Sequence, residues 1–169
     1  MEILLFFFTA FVGDLGEVHL FDPISLHIRY CEFQASLNPT LRHTLNINNL
    51  AVSDISGKSS DAIKDSLEIS PRGCIVDNFE TTSLDDYVSK NNINRVDYIK
   101  MDIEGSEVAA LQGSSMIIRD FKPRLAISAY HKPDDLWIIP EIIRKINPKY
   151  KLFFGHHSPT MWESVYYAV

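Results

Sequence analysis

Short apolar runs alternate with amphipathic stretches along most of the chain. Val18-His19-Leu20-Phe21 ends at Asp22-Pro23, the pattern of a strand leaving a sheet at its carboxyl end. Residues 24–37 carry Ile24, Ile28, Cys31 and Ala35 at helical spacing, and Asn38-Pro39 marks the stop. A strand is predicted over 45–53, with a turn at Ser56-Gly57. Residues 58–82 have the weakest periodicity and read as a strand extension plus loop. Ser83-Leu84-Asp85-Asp86 predicts a helix start, with Ser83 as N-cap and Asp86 at the third helical position.

The alternation continues with a strand over 96–101, a helix over 106–118, a strand over 125–130 and a helix over 134–146. Residues 150–154 and 164–169 read as two strands close enough to pair antiparallel. Strands alternating with helices predict an α/β fold around a mainly parallel sheet covered on both faces. With 169 residues, no repeat and no Pro/Gly/Ser linker, residues 1–169 are expected to form one domain.

The first twelve residues are strongly apolar, yet a membrane span needs about 20. Glu2 stands where a signal peptide would be basic, so an element buried on all sides is expected rather than a span. A net charge of −6 without a basic run disfavours nucleic acid and anionic membranes as partners. Cys31 and Cys74 lie far apart without a CxxC pair, which argues against a disulfide scaffold or a zinc site. Two thiols in a reducing, cytoplasmic compartment are the expectation.

In open α/β sheets ligands sit at the carboxyl ends of strands, which singles out Asp22, Asp54, Asp102 and Tyr130-His131. The octet Lys100-Met101-Asp102-Ile103-Glu104-Gly105-Ser106-Glu107 places three carboxylates and a lysine at one strand-to-helix junction. It reads either as a site or as an ordinary capped junction. Asp22 could accept two hydrogen bonds from a ribose diol, or form an aspartate turn before Pro23. His131 could act as a general base near neutrality, or be a surface loop histidine. His156-His157 face opposite sides of a strand and lack a third ligand at useful spacing, so no metal is expected there.

Taken together these pieces resemble the FkbM-type methyltransferases. The resemblance rests on Phe21-Asp22-Pro23, Ala51-Val52-Ser53-Asp54 with Gly57, Thr82-Ser83-Leu84-Asp85-Asp86, and Ile99 to Glu107 with Leu111 and Gly113. Lys122-Pro123, Tyr130-His131 and Tyr166-Tyr167-Ala168 extend it over nearly the whole chain. It implies a Rossmann-like class I fold whose last strand is antiparallel, with S-adenosylmethionine as cofactor. The implied activity is O-methylation of a hydroxyl on a sugar or secondary metabolite, so the expected partner is a small-molecule or glycan acceptor. By position, Asp22 would hold the cofactor ribose, and Ser53 and Asp54 would lie near the adenine. Asp102 and Glu104 would border the methionine end and the acceptor, with His131 opposite. The oxygen would attack the sulfonium methyl in line, held at near-attack distance, with His131 or Asp102 taking the proton.

One departure stands out. The family opens with a strand and a glycine-rich loop of the kind Asp-x-Gly-Ala-Asn-x-Gly, whereas only Gly13 and Gly16 precede residue 57 here. Residues 3–12 match the helix that follows that loop, which places the first strand upstream of Met1 and makes the fold N-terminally shortened. Alternatively, residues 3–8 are the first strand and Gly13–Gly16 a degenerate loop. The same departure supports a second reading of function, a non-catalytic methyltransferase-like binding domain.

Overall fold

The computed structural model describes residues 8–13, 15–58 and 79–169. Residues 8–12 are helical, in line with the match of 3–12 to the family's helix, and the Phe8 ring lies 5.4 Å from that of Tyr98. The expected burial on all sides does not hold, since Phe11 and Val12 are exposed whereas Thr9 is buried. Residues 1–7, Cys74 and most of 58–82 lie outside the described residues.

The first half holds β1 (Val18–Phe21), α1 (Ser25–Leu37), the short α2 (Pro39–Arg42) and β2 (Leu45–Asn48). β3 (Leu50–Val52), β4 (Gly57–Lys58), β5 (Glu80–Thr82) and α3 (Leu84–Lys90) follow. The second half holds β6 (Tyr98–Met101), α4 (Glu107–Gln112), α5 (Ser115–Asp120) and β7 (Arg124–Ser128). It closes with α6 (Asp135–Ile146), β8 (Leu152–His156) and β9 (Ser164–Ala168).

β1 pairs with β2, β3 with β5 and β6 with β7, all in parallel. β9 runs antiparallel to both β7 and β8, giving the order β6-β7-β9-β8 and the antiparallel closing strand expected from the sequence. The expected single sheet is not what forms among the described residues. There are three hydrogen-bonded groups, β1-β2, β3-β5-β4 and β6-β7-β9-β8. One cause is visible at Asn49, which splits the strand predicted over 45–53. Its side-chain amide donates to the Asp22 carbonyl at 2.9 Å, pinning it at the end of β1. The chain beyond it then turns to pair with β5 instead.

Other boundaries differ for equally local reasons. Pro39 does not end the helical region but opens α2, at a position where a missing N–H costs nothing. The turn predicted at Ser56-Gly57 becomes β4, antiparallel to a β5 that the weak periodicity of 58–82 had hidden. The predicted helix over 106–118 is two helices, because Asp85 reaches in from α3. Its carboxylate accepts the amides of Met116 and Ile117 at 2.9 and 3.0 Å and so caps α5 from outside, while its own amide donates to the Gly113 carbonyl. β7 stops at Ser128, two residues early, and β8 starts at Leu152, two residues late.

Ser83 caps α3 as predicted, accepting the Asp86 amide at 3.1 Å. The return arm of the box runs through a third residue. The Ser56 hydroxyl accepts the Ser83 amide and donates to the Asp86 carboxylate, tying the β3–β4 turn to the helix start.

The main core lies in the second half. β7 is buried on both faces from Leu125 to Ser128, between neighbours on either side. Leu125 and Ile127 cluster with Ala110 and Leu111 of α4, Ile117 and Ile118 of α5, and Ile139 and Ile143 of α6. Each such aliphatic side chain contributes about 1.5–3 kcal/mol when fully buried. α6 contains Pro140, which removes the amide that would bond the Leu136 carbonyl. Tyr166 of β9 donates its phenol to that same carbonyl at 2.6 Å, so the flaw in the helix becomes its tie to the sheet.

Gly113 lies against the loop after β3. A Cβ there would overlap the Ser53 carbonyl oxygen and crowd the Asp54 Cα, both backbone atoms with little freedom to move. Gly113→Ala is therefore expected to lower stability by about 1–3 kcal/mol, the usual cost of overpacking, read from urea denaturation. Tyr166→Phe should cost about 0.5–1.5 kcal/mol, because water can reach the freed carbonyl. Thermal melts of the two variants side by side would show the ranking.

Candidate active site

Three loops meet where the strands of the second half end. The first follows β6 and carries Asp102, Glu104 and Gly105. Glu104 and Gly105 both have positive φ (55° and 94°), so the chain makes a tight left-handed reversal into α4. Such a conformation is strained for a non-glycine residue and is sustained only by its surroundings. Gly105 closes that turn against the second loop, since a Cβ there would lie 3.1 Å from Lys132 Cε. The second loop follows β7 and holds Tyr130 and His131. The third, between β8 and β9, brings Trp162 edge-on to Tyr130 with the rings 5.8 Å apart.

Asp102 sits at the mouth of this cluster. It accepts the Tyr130 phenol on Oδ1 at 2.7 Å and pairs with Lys100 Nζ on Oδ2 at 3.3 Å. Burial pushes its pKa up, but the phenol, the Lys100 charge and Ser128 outweigh burial and hold it below the ordinary carboxylate value. Tyr130 is raised in turn, by burial first and then by its bond to Asp102.

His131 is turned inward, with only 7% of its side chain exposed. Its Nε2 lies 3.7 Å from Asp102 and 3.8 Å from Glu104. Its Nδ1 lies 2.9 Å from Oε1 of Glu107, a residue with no exposed surface at the first position of α4. That contact is an ion pair outside good hydrogen-bond alignment, and Glu107 Oε2 finds no donor among the described residues. Glu107 Oε1 also accepts the Ile103 amide at 2.8 Å, so the carboxylate is held by the loop that it helps to shape. Burial works against protonation of His131, but Glu107, then Asp102 and Glu104, outweigh it and raise the imidazole above its ordinary value.

Asp135, buried at the start of α6, completes the inner layer and accepts the Lys132 amide at 2.7 Å. Its pKa is raised, by burial first, and the nearby Glu107 adds to that rise. Glu107, His131 and Asp135 place ligand-type atoms within 4.8 Å of one another, which resembles a cation site in composition. Both carboxylates already accept a backbone amide and Glu107 faces His131, while Glu107 Oε2 and His131 Nδ1 have no hydrogen-bond partner among the described residues.

The structure thus brings together Asp102, Glu104 and His131, as the sequence suggested. The remaining candidates make their contacts elsewhere. Asp22 is buried at the end of β1, where Oδ1 accepts the Ile24 amide at 2.8 Å and Oδ2 faces His27 Nδ1 at 2.9 Å. The aspartate turn before Pro23 therefore forms, and each oxygen keeps a lone pair. Ser53 is buried and donates its hydroxyl to the exposed carboxylate of Asp54 just past β3. His156 and His157 are engaged separately, with Ser164 at 2.8 Å and Tyr167 at 2.8 Å. Glu107 and Asp135 were missed as site residues. Each sits in a first helical turn, where an acid looks like an ordinary response to the helix dipole.

Comparison with known proteins defines the class. The chain resembles the crystal structure of methyltransferase FkbM from Methylobacillus flagellatus KT, with a TM-score of 0.71 and 25% identity. The match covers 90% of this chain and 36% of that one, so the chain spans little more than a third of that protein. The fold is that of an α/β methyltransferase. The family model of the methyltransferase FkbM domain matches residues 4–157, and the chain belongs to that family. Comparison with curated proteins gives no significant match. Among the described residues no helix is long and apolar enough to cross a membrane.

The Tyr130 phenol is the largest of the contacts that hold Asp102 down against burial, so removing it should let the carboxyl pKa rise. Tyr130→Phe is expected to raise the Asp102 pKa, measured by carbon-detected NMR of the carboxyl groups. Stability drawn from a depressed carboxylate is present above its unfolded pKa and lost as pH falls through the folded one. The variant should therefore lose less stability on acidification than the parent.

Proposed function

We propose that this domain transfers a methyl group from S-adenosylmethionine to a hydroxyl of a sugar or secondary metabolite. The observation that carries the reading is the convergence of Asp102, Glu104 and His131 at the carboxyl ends of β6 and β7, in a chain of the FkbM family.

The chemistry of the donor set fits the cofactor. Asp22 retains acceptor capacity for ribose hydroxyls beside its aspartate turn. Asp54 offers an exposed carboxylate with Ser53 oriented by it, near where an adenine would lie. Asp102 and Glu104 supply negative charge where a sulfonium would be carried. Bound S-adenosylmethionine supplies an electrophilic methyl group.

The chain's own work is then to bind, orient and deprotonate. Glu104 and Asp102 can accept hydrogen bonds from an acceptor hydroxyl at the partly exposed mouth of the site. Holding that hydroxyl in one orientation supplies most of the acceleration, and proton removal adds a further factor of roughly 10²–10⁴. His131 and Asp102 are the groups within reach for that proton. Trp162 and Tyr130 wall one side of the mouth with aromatic surface, suited to the apolar face of a sugar or a planar metabolite.

A second reading, a methyltransferase-like binding domain without turnover, is favoured by the local engagement of both Asp22 oxygens. Calorimetric titration of S-adenosylmethionine separates the two. Micromolar binding that Asp22→Ala abolishes is expected from the first reading, whereas a folded chain that binds none supports the second. Under the first, His131→Ala should keep cofactor affinity and lower turnover by about 10²–10⁴-fold. Unchanged turnover would remove His131 from the mechanism.

A further inference from the structure

The fully buried acid of the cluster touches neither solvent nor the open mouth, and its position assigns it a task of another kind. Glu107 stands at the first position of α4 with no exposed surface, its Oε1 held by the Ile103 amide at 2.8 Å and lying 2.9 Å from His131 Nδ1. On the other side of the ring, Nε2 faces Asp102 and Glu104, whose side chains are 38% and 47% exposed. The imidazole thus has one edge against a buried carboxylate and the other toward the mouth. The Tyr130 ring, 4.2 Å away, restricts rotation from the side. Although the contact lies outside hydrogen-bond alignment, a buried carboxylate 2.9 Å from one ring nitrogen favours the proton on that nitrogen in the neutral ring and leaves the other with a free lone pair.

We propose that Glu107 is a positioning residue that holds His131 with its proton on Nδ1 and its Nε2 lone pair toward the mouth, so that His131 rather than Asp102 accepts the acceptor-hydroxyl proton. The proposal rests on the methyltransfer reading for its last clause only; the arrangement of the ring is independent of it. Asp102 is a poorer recipient because the bonds from the Tyr130 phenol and the Lys100 ammonium lower the basicity of both its oxygens. In the step itself the hydroxyl gives its proton to Nε2, and the O–H electron pair stays on oxygen and forms the new O–C bond. The methyl–sulfur bond would break with its electrons on sulfur, so that the donor leaves as the neutral thioether. The resulting imidazolium is then stabilised by Glu107.

The charged groups around the ring are Glu107 of α4, Asp102 and Glu104 of the β6 loop, Asp135 of α6, and Lys132 beside it. Four acids against two lysines, Lys132 next in sequence and Lys100 paired with Asp102, favour the charged ring, and Glu107 is the nearest of the acids. Losing its charge should make His131 easier to deprotonate.

Nitrogen NMR of the whole chain labelled at histidine tests this without any acceptor. The signal of His131, one of six histidines, is assigned by its loss in His131→Gln. In the unsubstituted protein the neutral ring is expected as the Nδ1–H tautomer, opposite to the usual preference of free histidine. In Glu107→Gln the His131 titration should move to lower pH. An Nε2–H tautomer in the parent overturns the proposal, and needs no variant to fold. An unmoved titration in a folded Glu107→Gln overturns it as well. Once an acceptor is found, Glu107→Gln should lower kcat with KM for S-adenosylmethionine unchanged, and its pH–rate profile should rise at lower pH than the parent's. If the parent transfers no methyl group while the NMR results hold, the methyltransfer reading fails and the positioning of His131 stands.

Discussion

A carboxylate with no exposed surface governs how the second half of this domain is arranged. Burying Glu107 is costly unless charge and hydrogen bonds compensate. The compensation comes from two loops at once, the Ile103 amide of the β6 loop and the His131 ring of the β7 loop. Neither loop can move independently without leaving the acid unpaired. The positive φ of Glu104 and Gly105 is sustained by this arrangement, and it turns Glu104 and Asp102 toward the mouth while Glu107 points inward. One octet thus provides both the outer and the inner acids of the site.

The frame behind the site is tied by similar exchanges between elements remote in sequence. Asp85 caps α5 from α3, and the Tyr166 phenol satisfies the carbonyl that Pro140 leaves open in α6. Gly113 lets the end of α4 meet the backbone at Ser53. These contacts connect the loop after β3, the helices and the closing strand around β7, the most buried strand. Because Asp135 opens α6 beside His131, the Tyr166 tie also steadies the inner layer of the site.

The same contacts explain which expectations failed. A helix predicted over 106–118 carries unbroken apolar spacing, and its division at Gly113-Ser114 is decided by an aspartate thirty residues upstream. The strand over 45–53 reads as continuous because its alternation is continuous. Asn49 divides it only through a bond to the end of β1. β5 was hidden because Glu80-Thr81-Thr82 has little apolar content, although Thr81 and Thr82 are buried between β3 and β4.

What the sequence determined by itself was the alternation of strands and helices, the antiparallel closing pair, the Ser83 cap and the family. These depend on local periodicity, on turn residues and on a long ordered set of motifs. It also placed Asp102, Glu104 and His131 at strand ends, since a residue just past a strand is identifiable from the run before it. Only the tertiary structure decided that the three meet, that each Asp22 oxygen makes one contact, with its own turn or with His27, and that Glu107 and Asp135 lie behind His131. An acid in the first turn of a helix looks the same in sequence whether it faces water or a buried imidazole. The difference lies in what the neighbouring loop brings to it.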